Sequence, residues 1–456
     1  MCGCRLLIAA LLSAVFAAPA SAQYSKAVFL ELARDPGRAD VPRTAAQLAL
    51  AGLTSSATTD EAIVRPANLL LGRGDEVVIS YGAFLFRRSE LTNTPRQLPP
   101  FDPARRVSPR STAPVAFAAA AMRRANWAAA AYYDASPRYA HAFSTQSATL
   151  FSASLFPTFI QYDATATASL RQSTVRVGGS VAIGSANRAS VGLGVSAVRF
   201  DYRAAAVDEI LVTSSTIADP TRRTFCCRFD EDRVAIRGWA PALALSGAFT
   251  PVPAMTITAR WRLEPAFAGS RELSIAQGSQ REKYAERVEF HLPRAYGIGA
   301  IVRVGATSVA AELARARYAD VFSPIEARPA DPNYRCGGIT VIECGAWGFP
   351  YHATRDTFTF AVAAERGIRV STGRFVLRGG VAHEPGYSLA RRSDDPSSRR
   401  SVPAPPVVTE FEPPRESATW LSGGVAYEWR RAEVAFGIAR AHHQMRLLVD
   451  VRLRSR

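Results

Sequence analysis

Between Ala240 and Leu263 apolar residues alternate with small or polar ones. Leu243, Leu245, Gly247 and Phe249 share one set, opposite Ala244, Ser246 and Ala248. After Pro251, Val252 and Pro253, the set Met255, Ile257, Ala259, Trp261 and Leu263 alternates with Thr256, Thr258, Arg260 and Arg262. A period of two belongs to a β-strand, whose successive side chains point to opposite faces. The stretch predicts a hairpin with one wholly apolar face and one face carrying two arginines.

The same pattern recurs. Val77, Ile79, Tyr81, Ala83 and Leu85 form one apolar set; Val175, Val177, Gly179, Val181 and Ile183 form another and resume at Val191, Leu193 and Val195 after a turn. Tyr296, Ile298, Ala300, Val302 and Val304 turn into Val309, Ala311 and Leu313, and Phe358, Phe360 and Val362 precede Phe375, Leu377, Gly379 and Val381. Leu421, Gly423, Val425, Tyr427 and Trp429 turn into Val434, Phe436 and Ile438, and the last set is Met445, Leu447, Val449, Val451 and Leu453. The Ala-rich stretches Val115–Ala121 and Trp127–Tyr133 flank a tight turn and read as two strands, although poly-Ala also favours a helical hairpin. Residues 134–165 lose the alternation and read as a long loop, or as two further strands.

No charge falls on these apolar sets, and an arginine on a lipid-facing strand position at mid-bilayer costs about 2–4 kcal/mol. Tyr427, Trp429 and Trp261 stand near strand ends, where aromatic girdles lie. Short links near residues 123, 186, 251, 306, 369 and 431 alternate with long ones over 203–233, 264–289, 320–355 and 384–418. That is the habit of outer-membrane barrels, with short periplasmic turns and long outer loops. The expectation is an all-β, transmembrane antiparallel β-barrel of about 14 strands, or about 16 if residues 134–165 span.

Before the first strand the chain does not alternate. Arg5 followed by a short apolar run that closes on Ala20, Ser21 and Ala22 has the form of a signal peptide, so residues 1–22 are expected to be removed and the mature chain to start at Gln23. The apolar run is shorter than the roughly 20 residues of a spanning helix. Residues 23–75 read as a compact N-terminal plug or hatch, and 76–456 as the barrel.

Composition adds two points. The net charge of +16, reduced by one when Arg5 leaves, is spread along strands and loops. It suits contact with anionic lipopolysaccharide or an anionic solute; export and the lack of a basic–aromatic recognition motif argue against nucleic acid. Of six cysteines, Cys226, Cys227, Cys336 and Cys344 stay in the mature chain. Cys336 and Cys344 share a Gly-rich loop and suit a small disulfide ring, while the adjacent Cys226 and Cys227 would be strained as a pair, leaving cross-pairing open. No His stands at zinc-ligand spacing to either pair, and no metal or cofactor is expected.

The segments HLPRAYGIGAIVRVGATSVAAELARARYADV (His291–Val321), RFVLRGGVAHEPGY (Arg374–Tyr387) and WLSGGVAYEWRRAEVAFGIARA (Trp420–Ala441) resemble strand pairs of the FadL/TodX family of outer-membrane channels for hydrophobic compounds. TTDEAIVRPANLLLG resembles that family's plug segment, with Pro66, Ala67 and Asn68 as the plug candidates and Arg65 in place of the motif's Asn. The chain also lacks the family's early Gly-rich plug text. The resemblance implies a 14-strand barrel closed by an N-terminal plug, in the bacterial outer membrane, taking up fatty acids or aromatic hydrocarbons.

Such a channel needs an apolar groove near its mouth and a basic group for any carboxylate. Leu155, Phe156, Phe159 and Ile160 are the groove candidates. Arg260, Arg262, Arg303 and Arg378 are the lumen cations, available either to an anionic headgroup or to carboxylates such as Glu312 or Glu428. No nucleophile and base stand out as a catalytic set. The expected partners are outer-membrane lipid, lipopolysaccharide and a hydrophobic small molecule, with the chain a monomer. A porin for small anions and a structural or assembly barrel are the alternative readings.

Overall fold

The computed structural model describes residues 42–53, 59–72, 74–86, 111–135, 139–153, 158–185, 187–216, 223–277, 280–317, 352–353, 356–385, 390–391, 417–441 and 444–455, without many side chains of 139–170, 208–230 and 275–288. The alternating stretches pair into one antiparallel sheet. Its strands are β1 (Glu76–Phe86), β2 (Ser111–Arg123), β3 (Trp127–Ala135), β4 (Tyr139–Ala153), β5 (Thr158–Gly184), β6 (Ala189–Thr216), β7 (Arg223–Val252), β8 (Met255–Leu263), β9 (Ala266–Gln277), β10 (Gln280–His291), β11 (Arg294–Val304) and β12 (Thr307–Arg317). After the two-residue β13 (His352–Ala353) come β14 (Thr357–Val370), β15 (Gly373–Glu384), the short β16 (Ala390–Arg391), β17 (Ala418–Trp429), β18 (Ala432–Ala441) and β19 (Gln444–Arg454). β13 and β16 pair only with each other.

β1 pairs with β2 on one side and β19 on the other, which closes the sheet into a barrel. β3 and β4 occupy successive parts of one edge of β5, and β8 and β9 do the same along β7. β11 lies across from β8 and β10 across from β9. The 17 strands of the sheet thus make 14 staves.

Three readings change. The described residues of 134–165 add no stave; most of them extend the wall as β4 and the start of β5. The long links at 203–233 and 264–289 are likewise largely strand, as the ends of β6 and β7 and the β9–β10 hairpin. β5, β6 and β7 run for 27, 28 and 30 residues, against the 9–11 or so that cross a bilayer. Past the membrane neither face has to be apolar, so alternation fades while the backbone ladder persists.

Within the belt the faces divide as the pattern requires. Ile79 is 60% exposed on the outward, lipid-facing side, while Val78 and Ser80 beside it are buried inside. Leu421, Phe436 and Leu453 face outward; Arg260, Arg262, Arg378 and Arg452 are buried in the lumen. The Ala-rich stretch is β2 and β3, and the reason its helix propensity loses is visible on the inner face. Ala119, Ala121, Ala128 and Ala130 leave room there for Ile63, Val64, Leu69 and Leu70, which pack against them.

Those four residues belong to an inner segment made of helix α1 (Ala45–Ala49) and two 3-10 turns, Thr59–Ile63 and Pro66–Leu71. Leu48, Leu50 and Leu53 pack on the opposite wall, against Ala361, Ala382, Ala439 and Trp420. Among the described residues no helix is long and apolar enough to cross a membrane.

Candidate functional site: the lumen and its inner segment

Close backbone approach seats the inner segment. A Cβ on Gly192 of β6 would lie 2.2 Å from the amide nitrogen of Ala67, and one on Gly437 of β18 would lie 2.3 Å from the carbonyl oxygen of Ala45. Around Gly192 the contact is polar as well: Ala67 N–H donates to Ser246 Oγ at 2.8 Å, and Ser190 Oγ donates to the Ala67 carbonyl at 3.1 Å. At the other anchor Asp450 of β19 caps α1, accepting from Ala45 N at 2.7 Å and Ala46 N at 3.3 Å. An aspartate at a helix N-terminus satisfies amides the helix leaves unpaired.

Ion pairs complete the seat. Arg65 donates to both oxygens of Glu61 at 3.2 Å and reaches Glu312 of β12 at 2.5 Å; Glu312 also accepts from Arg260 of β8 at 2.8 Å. Asn68 Nδ2 donates to Glu61 at 3.1 Å. Burial alone would push the Arg65 guanidinium down, but Glu312 and Glu61 outweigh it and hold its pKa above the ordinary arginine value. A second cluster centres on the buried Arg452, within 3.5 Å of Asp60, Glu76 and Asp450. Thr59 and Arg123 both donate to Glu76 there.

The four nominated arginines do not form one site. Arg260 pairs with Glu312, Arg262 with Glu264, and Arg378 with Glu365 at 2.7 Å and Glu433 at 3.2 Å. Arg303 stands half-exposed at the short-turn end of β11. Glu428 accepts from Arg374 and Arg454 instead. Pro66 and Ala67 meet β6 at Gly192 and Ala67 also meets β7 at Ser246, while Asn68 turns to Glu61 within the segment. Leu155 and Phe156 lie outside the described residues; Phe159 and Ile160 fall in β5, their side chains outside them. Cys336 and Cys344, and the side chains of Cys226 and Cys227, lie outside them too.

Two arrangements escaped the sequence. Arg446 of β19 lies between Trp420 and Phe84, its guanidinium carbon 3.9 and 4.8 Å from their ring centroids. It borders a cavity of about 60 Å³ between inner segment and wall, lined also by Leu48, Leu53, Val64 and Ala361. At roughly 15 Å³ per water, that holds a few waters. Phe200, Tyr202, Phe267 and Phe290 form a buried aromatic row farther up the wall. Only strand register joins Phe200 to Phe290, so no local pattern announces either arrangement.

No protein-family model matches the chain, and no curated protein matches it by sequence. Solved structures do match by shape. A Pseudomonas aeruginosa FadL homologue aligns with a TM-score of 0.55 at 11% identity, over 90% of this chain and 98% of the other. The P. putida toluene transporter TodX aligns at 0.52 and 12%, over 90% and 98%. The fold is that of the FadL and TodX channels. The Ralstonia pickettii toluene transporter TbuX shares this FadL/TodX fold at 0.51 and 16% identity, over 91% and 98%.

Proposed function

We propose that the chain is a channel of the bacterial outer membrane for passive uptake of hydrophobic small molecules, long-chain fatty acids or aromatic hydrocarbons, with residues 23–75 as its plug. The observation that carries this reading is the seating of the inner segment against both sides of the lumen, in a fold whose solved examples include toluene transporters. A water-filled anion porin needs an open path, and the inner segment stands in it. A molecule that partitions from water into an apolar site needs no such path; it needs the segment to shift.

In this reading residues 1–22 are cleaved, Gln23 begins the mature protein, and the short turns face the periplasm. The outward rim supports an anionic lipid neighbour: the Arg315 guanidinium lies 5.7 Å from the Tyr296 ring and 5.4 Å from Phe358, and Arg199 lies 6.0 Å from Trp239. Arg315 is shared with Asp356 at 2.5 Å, which leaves Arg199 as the cation a lipopolysaccharide phosphate would meet first. The barrel acts as a monomer, and the four mature cysteines are paired.

The test is uptake of labelled oleate and toluene by cells whose only such channel is this chain, with single-channel recordings of the purified protein in planar bilayers. Uptake without steady conductance is expected. Steady anion-selective conductance would establish a porin, and neither activity would leave a structural barrel.

A further inference from the structure

Beyond the layer where Arg176 and Arg262 share Glu264, towards the long-link end of the lumen, the inner wall becomes aromatic. Phe200 of β6 lies 5.2 Å from Phe267 of β9 and from Phe290 of β10 between ring centroids, and the Phe200 and Phe290 planes are 8° apart. Tyr202 continues the row at 6.3 Å and 4° from Phe200. Such spacings are those of offset stacking, an arrangement that accepts another flat ring.

Gln172 of β5 belongs to the same patch. The register sets it opposite Tyr202, while Thr174, next on its face, is opposite Phe200. Gln172 is fully buried, and neither its amide oxygen nor its amide nitrogen has a hydrogen-bond partner among the described residues. Leaving a buried donor or acceptor unmade costs about 1–3 kcal/mol, so the position calls for an occupant that completes it. A neutral amide offers donors and an acceptor but no charge. It therefore suits neither a carboxylate nor a plain hydrocarbon, one wanting a cation and the other no polar partner.

We infer that Gln172 and the Phe200, Tyr202, Phe267 and Phe290 row form a recognition site for an uncharged aromatic molecule bearing one hydrogen-bonding substituent, as in a phenol or an aryl alcohol. The inference rests on the channel reading and narrows its cargo. The ring lies against the aromatic row, and the hydroxyl exchanges hydrogen bonds with the Gln172 amide. A site built around such a bond discriminates against the analogue that lacks it.

Phenol and toluene, nearly equal in size, are the probes. Calorimetry on the purified full-length barrel in detergent should show phenol binding about tenfold more tightly than toluene, and Gln172→Leu should abolish that preference while toluene binding stays level. Phe200→Leu should weaken both, and it serves as the test if Gln172→Leu does not fold, folding being read from heat-modified gel mobility. A phenol preference that survives Gln172→Leu, or toluene bound as tightly as phenol by the unaltered protein, overturns the site and leaves the channel standing. Failure of both compounds to enter proteoliposomes overturns the site and the channel reading together.

Discussion

Arg65 of the inner segment and Glu312 of β12, 247 residues apart in sequence, meet through Nε and Nη2 on one carboxylate oxygen at 3.0 and 2.5 Å. Arg65 stands where the resembled plug motif has Asn, so the departure adds an ionic tie between the segment and the wall. Removing one partner of a buried ion pair strands the other, at a cost on the order of 3–5 kcal/mol. Arg65→Met should therefore loosen residues 59–72, read as faster amide exchange there with the barrel intact. Unchanged protection would mean that glycine seating alone holds the segment.

Gly192→Val tests the seating itself. The added side chain would occupy the space of the Ala67 amide, and overpacking costs typically about 1–3 kcal/mol. The expected phenotype is a folded barrel with the Pro66–Asn68 turn displaced and steady current in planar bilayers. A silent channel with an unshifted melting temperature counts against it.

Phe436→Arg addresses the outward face. Phe436 lies midway along β18, 43% exposed, and a mid-bilayer arginine should lower the folding free energy in vesicles by about 2–4 kcal/mol. Ala435→Ser, one residue before it and facing the lumen, should change it little. Equal effects at the two positions would refute the assignment of faces.

Asp75 sets a pH dependence at the short-turn end. It accepts from the Arg123 amide at 2.9 Å and from Arg124 Nη1 at 3.0 Å, while Ser455 Oγ accepts from its own amide. The Arg123 amide above all, then the Arg124 guanidinium, holds its carboxyl below the usual aspartate range. A lowered folded-state pKa gives stability that is present above the unfolded value of roughly 3.9 and is lost as pH falls through the folded one. The melting difference between wild type and Asp75→Asn should thus be present at neutral pH and vanish in strong acid. A difference that persists unchanged in acid would rule out this carboxylate as its source.

What the sequence displays is what lipid enforces. The hairpin at Ala240–Leu263 was readable because a charge on its outward face is costly, whereas the pairing of Arg262 with Glu264, a residue read as the start of a long link, was not. Glu312 was legible as a lumen carboxylate for these arginines, but which arginine meets it, like the meeting of Phe200 with Phe290, depends on which staves become neighbours, and no local spacing encodes that. Val115–Ala121 and Trp127–Tyr133 were legible as strands from their place in the pattern, although their alanines alone also favour a helix; what those alanines accommodate, the inner segment, was not legible. Residues 203–233 went unread because water on both sides imposes no period.

The long staves β5, β6 and β7 carry a further consequence. One continuous ladder serves two environments: its lower part is held to a narrow alphabet by hydrocarbon, and its upper part, beyond the buried Phe200–Tyr202 row, is free of that constraint on its outward face. Substitutions can accumulate in the upper part without disturbing the lower. The upper wall can therefore take substitutions on its outward face that the membrane belt below it cannot.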